Sequence, residues 1–175
     1  MNEVISAIMQ RRSIRKFQPK PVPKELLQQI TAAGTYAASG RGSQGTLIVA
    51  ITDKEWRDRL SAENCRIGGW DSSFDPFYGA PAVLLVLADK SRPTCVYDGS
   101  LVMDAMMLAS HSLGLGSCWI HRAKEEMEGS VGRELLEKLG IDGKYEGIGH
   151  CVVGYCEGDL PEAAPRKENR VFYVE

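Results

Sequence analysis

The sequence has too few cysteine and histidine residues, in the wrong spacing, for a disulfide framework or a familiar metal site. Its five cysteines are odd in number and include no C-x-x-C pair, so we expect reduced thiols. They stand at positions 65, 95, 118, 151 and 156. Of the three histidines, neither His111 nor His150 has a carboxylate or second histidine at metal-ligand spacing. We therefore expect no metal.

Long apolar runs and an excess of one charge are also missing. The longest apolar run, 81–88, is too short to span a bilayer, and the apolar segment 4–9 precedes a basic cluster, the reverse of a signal peptide. The net charge of −2 gives no reason to expect nucleic acid or a membrane as partner. Neither G-x-S-x-G, H-E-x-x-H nor a P-loop occurs, which excludes the familiar hydrolase and NTPase sites. These absences predict a cytoplasmic protein.

The length of 175 residues and the hydrophobic content of 43% suit one domain with a substantial core, 1–175. Periodicity predicts helices over 3–10, 23–37, 52–64, 98–113 and 124–139, and strands over 46–51, 81–88, 117–120 and 145–155. Thr52 and Glu55 form a predicted capping box. Four to five strands without a clean βαβ repeat indicate an α+β or mixed α/β sandwich.

The predicted helix 98–113 is the centre of the chain. Asp98 is its expected N-cap, and Gly114 is its expected left-handed stop. The helix is apolar nearly all round, so it should be buried inside a core or between two subunits. The strand after it is followed by His121 and Arg122, and catalytic and binding residues often lie at such strand ends.

Two basic clusters flank the rest of the chain. Arg11, Arg12, Arg15 and Lys16 follow the first helix, and Arg166, Lys167 and Arg170 lie near the end. A lone basic run is commonly solvated, but extended chain after a helix end can aim several guanidinium groups at one anion. The tail 160–175 ends in alternating RVFYV, which predicts pairing with a sheet edge, its own or a neighbour's.

Two loops each have two possible roles. The Gly-rich loop 37–45 offers Ser39 and Gln44 to a ligand, or is an ordinary turn. The aromatic-rich segment 65–80 covers a flat ligand, or packs locally under its own loop. Together with the basic clusters, these loops suit a flat, phosphorylated, polar-rimmed molecule, which would itself carry the chemistry.

The order of the motifs resembles that of one known family. RRSIRKF, ASGRGSQ, FYGAP, LGLGSCWI, VGY and APRKENRV occur in succession over essentially the whole chain, as in the nitroreductase family of FMN-dependent NAD(P)H oxidoreductases. The resemblance implies an α+β three-layer sandwich, with a mostly antiparallel sheet between helices. It also implies a homodimer, in which the C-terminal arm 160–175 packs on the partner subunit.

The same resemblance implies roles for particular residues. Arg11, Arg12, Ser13 and Arg15 would hold the FMN phosphate and the pyrimidine edge of the ring, and Ser39, Gly40 and Gln44 would reach the flavin from the partner subunit. Trp119, Ile120, His121 and Arg122 would line the isoalloxazine with backbone N–H groups. Arg166, Lys167 and Arg170 would complete the phosphate site. Cys118, beside this ring site, is expected to be an inert buried thiol.

The chain also departs from the family pattern. Ala38, Gly42, Gly45 and Thr46 stand at positions that are usually Pro, Asn, Pro and Trp, which removes one amide contact to the flavin and loosens the loop. Arg122 replaces a small residue, and this either narrows the pocket or favours an anionic substrate.

The implied activity is ping-pong hydride transfer from NAD(P)H to nitroaromatic, quinone or similar electron-poor acceptors. No side-chain acid or base is needed for it. Reductive dehalogenation, flavin degradation, a redox-silent flavin-binding protein and a dimer with merely solvated basic clusters are the alternatives.

Overall fold

A four-stranded antiparallel sheet forms the middle layer of the molecule. The computed structural model describes residues 1–175. The strands are β1 (Thr46–Ile51), β2 (Ala82–Asp89), β3 (Gly116–Ile120) and β4 (Tyr145–Gly154), in the spatial order β1-β2-β4-β3. The helices are α1 (Glu3–Gln10), α2 (Lys24–Thr35), α3 (Lys54–Gly68), α4 (Cys95–Ser112), α5 (Ala123–Glu128) and α6 (Ser130–Leu139). Every neighbouring pair of strands is antiparallel.

The two faces of the sheet are covered by different helices. Alternate residues of β2 point to opposite faces, so Leu85 joins one core and Leu84 the other. Helices α3, α5 and α6 cover the first face, and α2 and α4 cover the second. All of β2 from Ala82 to Ala88 is buried, as its continuous apolar run predicts. The predicted α+β three-layer sandwich is confirmed.

Two glycines of β4 let other elements approach the strand closely. A Cβ atom on Gly147 would lie 2.1 Å from the carbonyl oxygen of Ala123, and one on Gly149 would lie 2.4 Å from the indole nitrogen of Trp119. The register of β2 against β4 shifts between Val86 and Leu87, opposite these glycines. As a result, α5 and the end of β3 pack directly on β4.

The N-cap of α4 lies four residues earlier than the sequence predicts. Thr94 occupies the N-cap position, so the N-cap prediction for Asp98 is wrong. The buried carboxylate of Asp98 instead accepts hydrogen bonds from Gly40 N at 3.0 Å and from Thr94 Oγ1 at 2.9 Å. Gly114, with φ of 75°, ends the helix region as predicted. One face of α4 packs on the sheet, whereas its Leu101 is 48% exposed.

Three predictions about the other helices are wrong. The predicted helix 124–139 is two helices, because Gly129 between α5 and α6 has extended backbone angles. The predicted capping box at Thr52 does not form, since Asp53 is the N-cap of α3 and its carboxylate accepts a hydrogen bond from Trp56 N at 3.0 Å. Helix α3 continues to Gly68, past its predicted end at residue 64.

The two ends of the chain are exposed. Helix α1 forms as predicted but has no buried residue, and its Val4, Ile5 and Ile8 are more than half exposed. The tail 160–175 contains no strand and makes no hydrogen bond to the rest of the chain, so it does not pair with its own sheet. Its packing on a partner subunit stays a prediction. No helix combines the length and the apolar character needed to cross a membrane.

Candidate functional site

The first basic cluster lies along the outer edge of β3. Ile14 N donates a hydrogen bond to Ser117 O at 2.9 Å, and Ser13 pairs with Ser117 in a parallel bridge. Ile14 and Phe17 are buried in the core and anchor the segment. Ser13 and Arg15, on either side of Ile14, lie close enough to the thiol of Cys118 to lower its pKa.

Two guanidinium nitrogens of this segment are buried without a hydrogen-bond acceptor. Arg11 Nη1 and Arg12 Nε are buried and have no partner within the chain. Arg12 Nη1 does donate to the carbonyl oxygens of Met9 and Arg11, at 2.8 Å each. None of Arg11, Arg12 and Arg15 forms an ion pair. Since a buried charged donor without an acceptor is costly, these groups fit an anionic ligand such as a phosphate.

The end of β3 opens into a small cavity beside this segment. Its volume is about 170 Å³, and it is lined by Arg15, Trp70, Pro76, Tyr78, Cys118, Trp119, Ile120, His121 and Arg122. The structure thus brings together Arg15 and all four site residues predicted at the strand end. Neither His121 N nor Arg122 N donates a hydrogen bond within the chain, so both remain available to a ligand.

The aromatic-rich segment after α3 forms one wall of the cavity. The rings of Trp70 and Phe74 meet edge to face with centroids 5.1 Å apart, and those of Phe74 and Tyr78 lie 5.9 Å apart. Phe77 instead is fully buried in the core. Part of the segment therefore packs locally and part lines the cavity, and its role as a cover over a flat ligand stays a prediction. Asp75 holds the segment in place through Arg57, Ser61 and the backbone N–H groups of Phe77 and Gly79.

A second polar cluster lies directly beneath the cavity, and sequence reasoning missed it. We call Asn64, Glu126 and His150 the buried polar triad, because all three are fully buried. His150 Nε2 lies 2.8 Å from a carboxylate oxygen of Glu126, and the amide of Asn64 donates to the other oxygen. Asn64 Nδ2 also donates to His121 O at 2.7 Å. The triad therefore fixes the backbone at the end of β3.

Ser39, Gly40 and Gln44 lie far from this cavity. Their loop precedes β1, which is the opposite edge strand from β3. Ser39 and Gln44 line another cleft, of about 480 Å³, on the α2 and α4 side of the sheet. The loop is held by Gln44 N donating to Ser39 Oγ at 3.0 Å and by Gly40 N donating to Asp98. Within one chain, these residues do not meet Arg15 or the end of β3.

The second basic cluster also stands apart from the first. Arg166, Lys167 and Arg170 are exposed and form no ion pair. Within a single chain, the predicted convergence of the two clusters is therefore not found. Their meeting across a subunit interface stays a prediction.

Cys118 lies in the cavity wall with the properties of an unreactive thiol. Burial raises the pKa of Cys118, and the nearby Arg15, Ser13 and Arg11 offset that rise only in part. Cys151, the neighbour of Trp119 across the sheet, is fully enclosed, and burial raises its pKa to about 12. Neither thiol is poised to act as a nucleophile.

Comparisons with known proteins agree with this architecture. A model of the nitroreductase family matches residues 8–65 and 69–155. The FMN reductase [NAD(P)H] of Bacillus subtilis is 35% identical over 89% of this chain, and the NADPH-flavin oxidoreductase of Vibrio harveyi is 34% identical over 69%. The chain spans 66% and 54% of the lengths of these two relatives.

A solved structure extends the likeness to the fold. The crystal structure of a nitroreductase with bound FMN from Bacteroides fragilis is 27% identical, covers 100% of both chains and superimposes with a TM-score of 0.89. Since the family model covers more than half of the sequence and the Bacillus subtilis relative matches most of it, the chain belongs to the nitroreductase family.

Proposed function

We propose that the protein is an FMN-dependent oxidoreductase that uses NAD(P)H to reduce electron-poor acceptors such as nitroaromatics and quinones. The observation that carries this proposal is the set of unpartnered donors at the β3 edge. Arg11 Nη1 and Arg12 Nε are buried without acceptors along β3, and two backbone N–H groups after the end of β3, at His121 and Arg122, are free. The names of the Bacillus subtilis and Vibrio harveyi relatives and the FMN in the Bacteroides fragilis structure support it.

The residues of this chain have separable tasks in that reaction. When bound, FMN supplies the redox chemistry by taking two electrons from NAD(P)H and passing them to the acceptor. Arg11, Arg12 and Arg15 hold the phosphate and the pyrimidine edge of the ring, together with Ser13. The backbone N–H groups at the end of β3 donate to the ring, where preorganised donors stabilise developing negative charge.

The site is completed by a second copy of the chain. Ser39 and Gln44 lie next to β1, at the opposite edge of the sheet from β3, so only another subunit brings them to the ring. Exposed apolar residues on α1, on α4 and in the tail, such as Leu101 at 48% and Phe172 at 80% exposure, supply surface for such a homodimer. The arm 160–175 then packs on the partner and adds Arg166, Lys167 and Arg170 to the phosphate site.

The absorbance spectrum of the purified protein tests this function. We expect a flavin spectrum, present on purification or after addition of FMN, that NADH or NADPH bleaches under anaerobic conditions and that a nitroaromatic or quinone restores. Protein that takes up no FMN contradicts the proposal. Bound FMN that neither nucleotide bleaches would instead favour a redox-silent flavin-binding protein.

A further inference from the structure

Arg122 is fixed at its backbone by the buried polar triad. Its φ of 77° lies in the left-handed region, which a residue with a Cβ adopts only when the surroundings impose it. The preceding carbonyl oxygen, His121 O, accepts the hydrogen bond from the fully buried Asn64 at 2.7 Å. Because the peptide is planar and trans, fixing that carbonyl also fixes Arg122 N–H, which points the opposite way.

The side chain of Arg122 is held as well. Its guanidinium carbon lies 4.3 Å from the ring centroid of Trp70, and Trp70 is in turn braced by the edge-to-face contact with Phe74. A guanidinium that stacks on an aromatic face keeps its in-plane N–H groups free. Those groups form a fork that matches a carboxylate or a phosphate.

The cavity supplies no negative charge to meet this fork. Its lining contains two arginines, Arg15 and Arg122, and no aspartate or glutamate. Neither arginine forms an ion pair with any part of the chain. The carboxylate of Glu126, which is fully buried below the cavity, contacts His150 and Asn64 and does not pair with either arginine.

From this geometry we propose that Arg122 is an anion subsite, which receives a carboxylate or phosphate group of the substrate that enters beside the ring. The inference rests on the proposed function and adds a substrate class to it. The arginine is preorganised at both ends, so little side-chain freedom is lost when the anion binds. Two molecules could supply this anionic group: the electron acceptor, through an acidic substituent, or the nicotinamide nucleotide, through one of its phosphates.

Matched acceptors that differ in charge test the first source. We expect the FMN-loaded protein to reduce 4-nitrobenzoate with a kcat/KM at least about tenfold above that for 4-nitrobenzamide, the effect of one charge-assisted hydrogen bond. The carboxylate and the amide also change the reduction potential of the nitro group slightly. The ratio of the two kcat/KM values is therefore compared among variants, for which this intrinsic difference is the same. Arg122→Gln should abolish the preference, and Arg122→Lys should restore part of it, since lysine keeps the charge but not the fork.

Arg133→Gln is the matched control, because Arg133 is exposed on α6, forms no ion pair and donates only to the carbonyl oxygen of Glu128. It should leave the ratio unchanged. If Arg122→Gln does not retain FMN, the salt dependence of the unmodified protein decides. Added NaCl should then lower kcat/KM for the nitrobenzoate and spare the nitrobenzamide.

Rates of flavin reduction by NADPH and NADH test the second source. A preference for NADPH that Arg122→Gln removes, with no acceptor preference in any variant, assigns the anion to the nucleotide. The inference is overturned if Arg122→Gln changes neither ratio, or if the unmodified protein shows neither preference. A protein that is never bleached fails the proposed function instead, so the two failures are distinct.

Discussion

Two groups of polar residues lie within the same small region and differ in how their hydrogen bonds are satisfied. In the buried polar triad, Glu126 accepts from both of its partners, and Asn64 uses its second N–H on a backbone carbonyl. In the segment after α1, Arg11 and Arg12 keep buried N–H groups with no acceptor. Two atoms of the triad, Asn64 Oδ1 and His150 Nδ1, also lack a partner. Both oxygens of Glu126 nevertheless have partners within the chain, whereas no carboxylate of the chain pairs with Arg11 or Arg12.

This difference separates a structural role from a ligand-binding role. A buried polar group whose partners belong to the chain stabilises the fold and specifies its local geometry. A buried charge without a partner persists when another molecule supplies that partner. Substitutions in the triad should therefore change stability, and substitutions in the arginine segment should change ligand affinity.

Removal of the central acceptor of the triad is expected to have the largest effect. Glu126→Ala leaves donors of Asn64 and His150 unpaired at 0% exposure. Each such donor costs about 1–3 kcal/mol, so the free energy of unfolding should fall by about 3 kcal/mol or more. Urea denaturation of the FMN-free protein measures it.

Glu125→Ala is the control for that experiment, because Glu125 lies on the same helix but is exposed. We expect little change from it. Glu126→Gln keeps one acceptor oxygen and should lose less stability than the alanine variant. If Glu126→Ala and Glu125→Ala were equally stable, the triad would not have a structural role.

Loss of the unpartnered arginines should give the opposite pattern. The double variant Arg11→Gln, Arg15→Gln removes two cations beside Ser13 and Cys118. We expect the FMN dissociation constant to rise by at least about tenfold, since charge-assisted hydrogen bonds to the phosphate and the ring are lost. The free energy of unfolding without FMN should change by less than about 0.5 kcal/mol.

Flavin titration measures the FMN dissociation constant, and urea denaturation of the same preparations measures the free energy of unfolding. Arg133→Gln is the control for both. Unchanged FMN affinity would mean that the basic cluster is only solvated. A large loss of stability without FMN would mean that these arginines belong with the triad.

The strands could be predicted from sequence because they depend on local pattern, whereas the roles of the site residues come from the resemblance to the family and stay predictions. The run at 46–51 is confirmed with its bounds, and the strand end at 119–122 does line a cavity with Arg15. The buried polar triad could not be predicted. Its members lie on α3, α5 and β4, and Asn64 and Glu126 are 62 positions apart in the sequence. A glutamate in a helix is also ordinarily solvated.

The break at Gly129 has a similar cause. A glycine inside a helix costs only about 1 kcal/mol, so periodicity favours one continuous helix over 124–139. The approach of α5 to Gly147 of β4 is a tertiary contact that no local pattern reveals. The N-cap role predicted for Asp98 is wrong for the same reason, because its carboxylate accepts a hydrogen bond from Gly40, which is distant in the sequence.

Asp75 combines features of both groups and should give the smallest effect. Burial raises its pKa, but hydrogen bonds from Arg57, Ser61 and backbone N–H groups outweigh that rise and leave the pKa below its ordinary value. A carboxyl whose folded pKa is lowered stabilises the fold fully above its unfolded pKa of about 3.9, and the contribution disappears as the pH falls through the folded pKa.

Asp75→Asn should therefore lower the free energy of unfolding by about 1 kcal/mol at pH 7, a modest value because the carboxylate is partly exposed and screened. The difference from the unmodified protein should shrink as the pH falls below about 4. Urea denaturation at several pH values measures it, with the exposed Asp142→Asn as the control. A difference that does not shrink as the pH falls would mean that packing, and not the charge of Asp75, holds the aromatic wall. If the stability difference disappears at low pH, Asp75 has a structural role like that of the triad, because the partners of its charge lie within the chain.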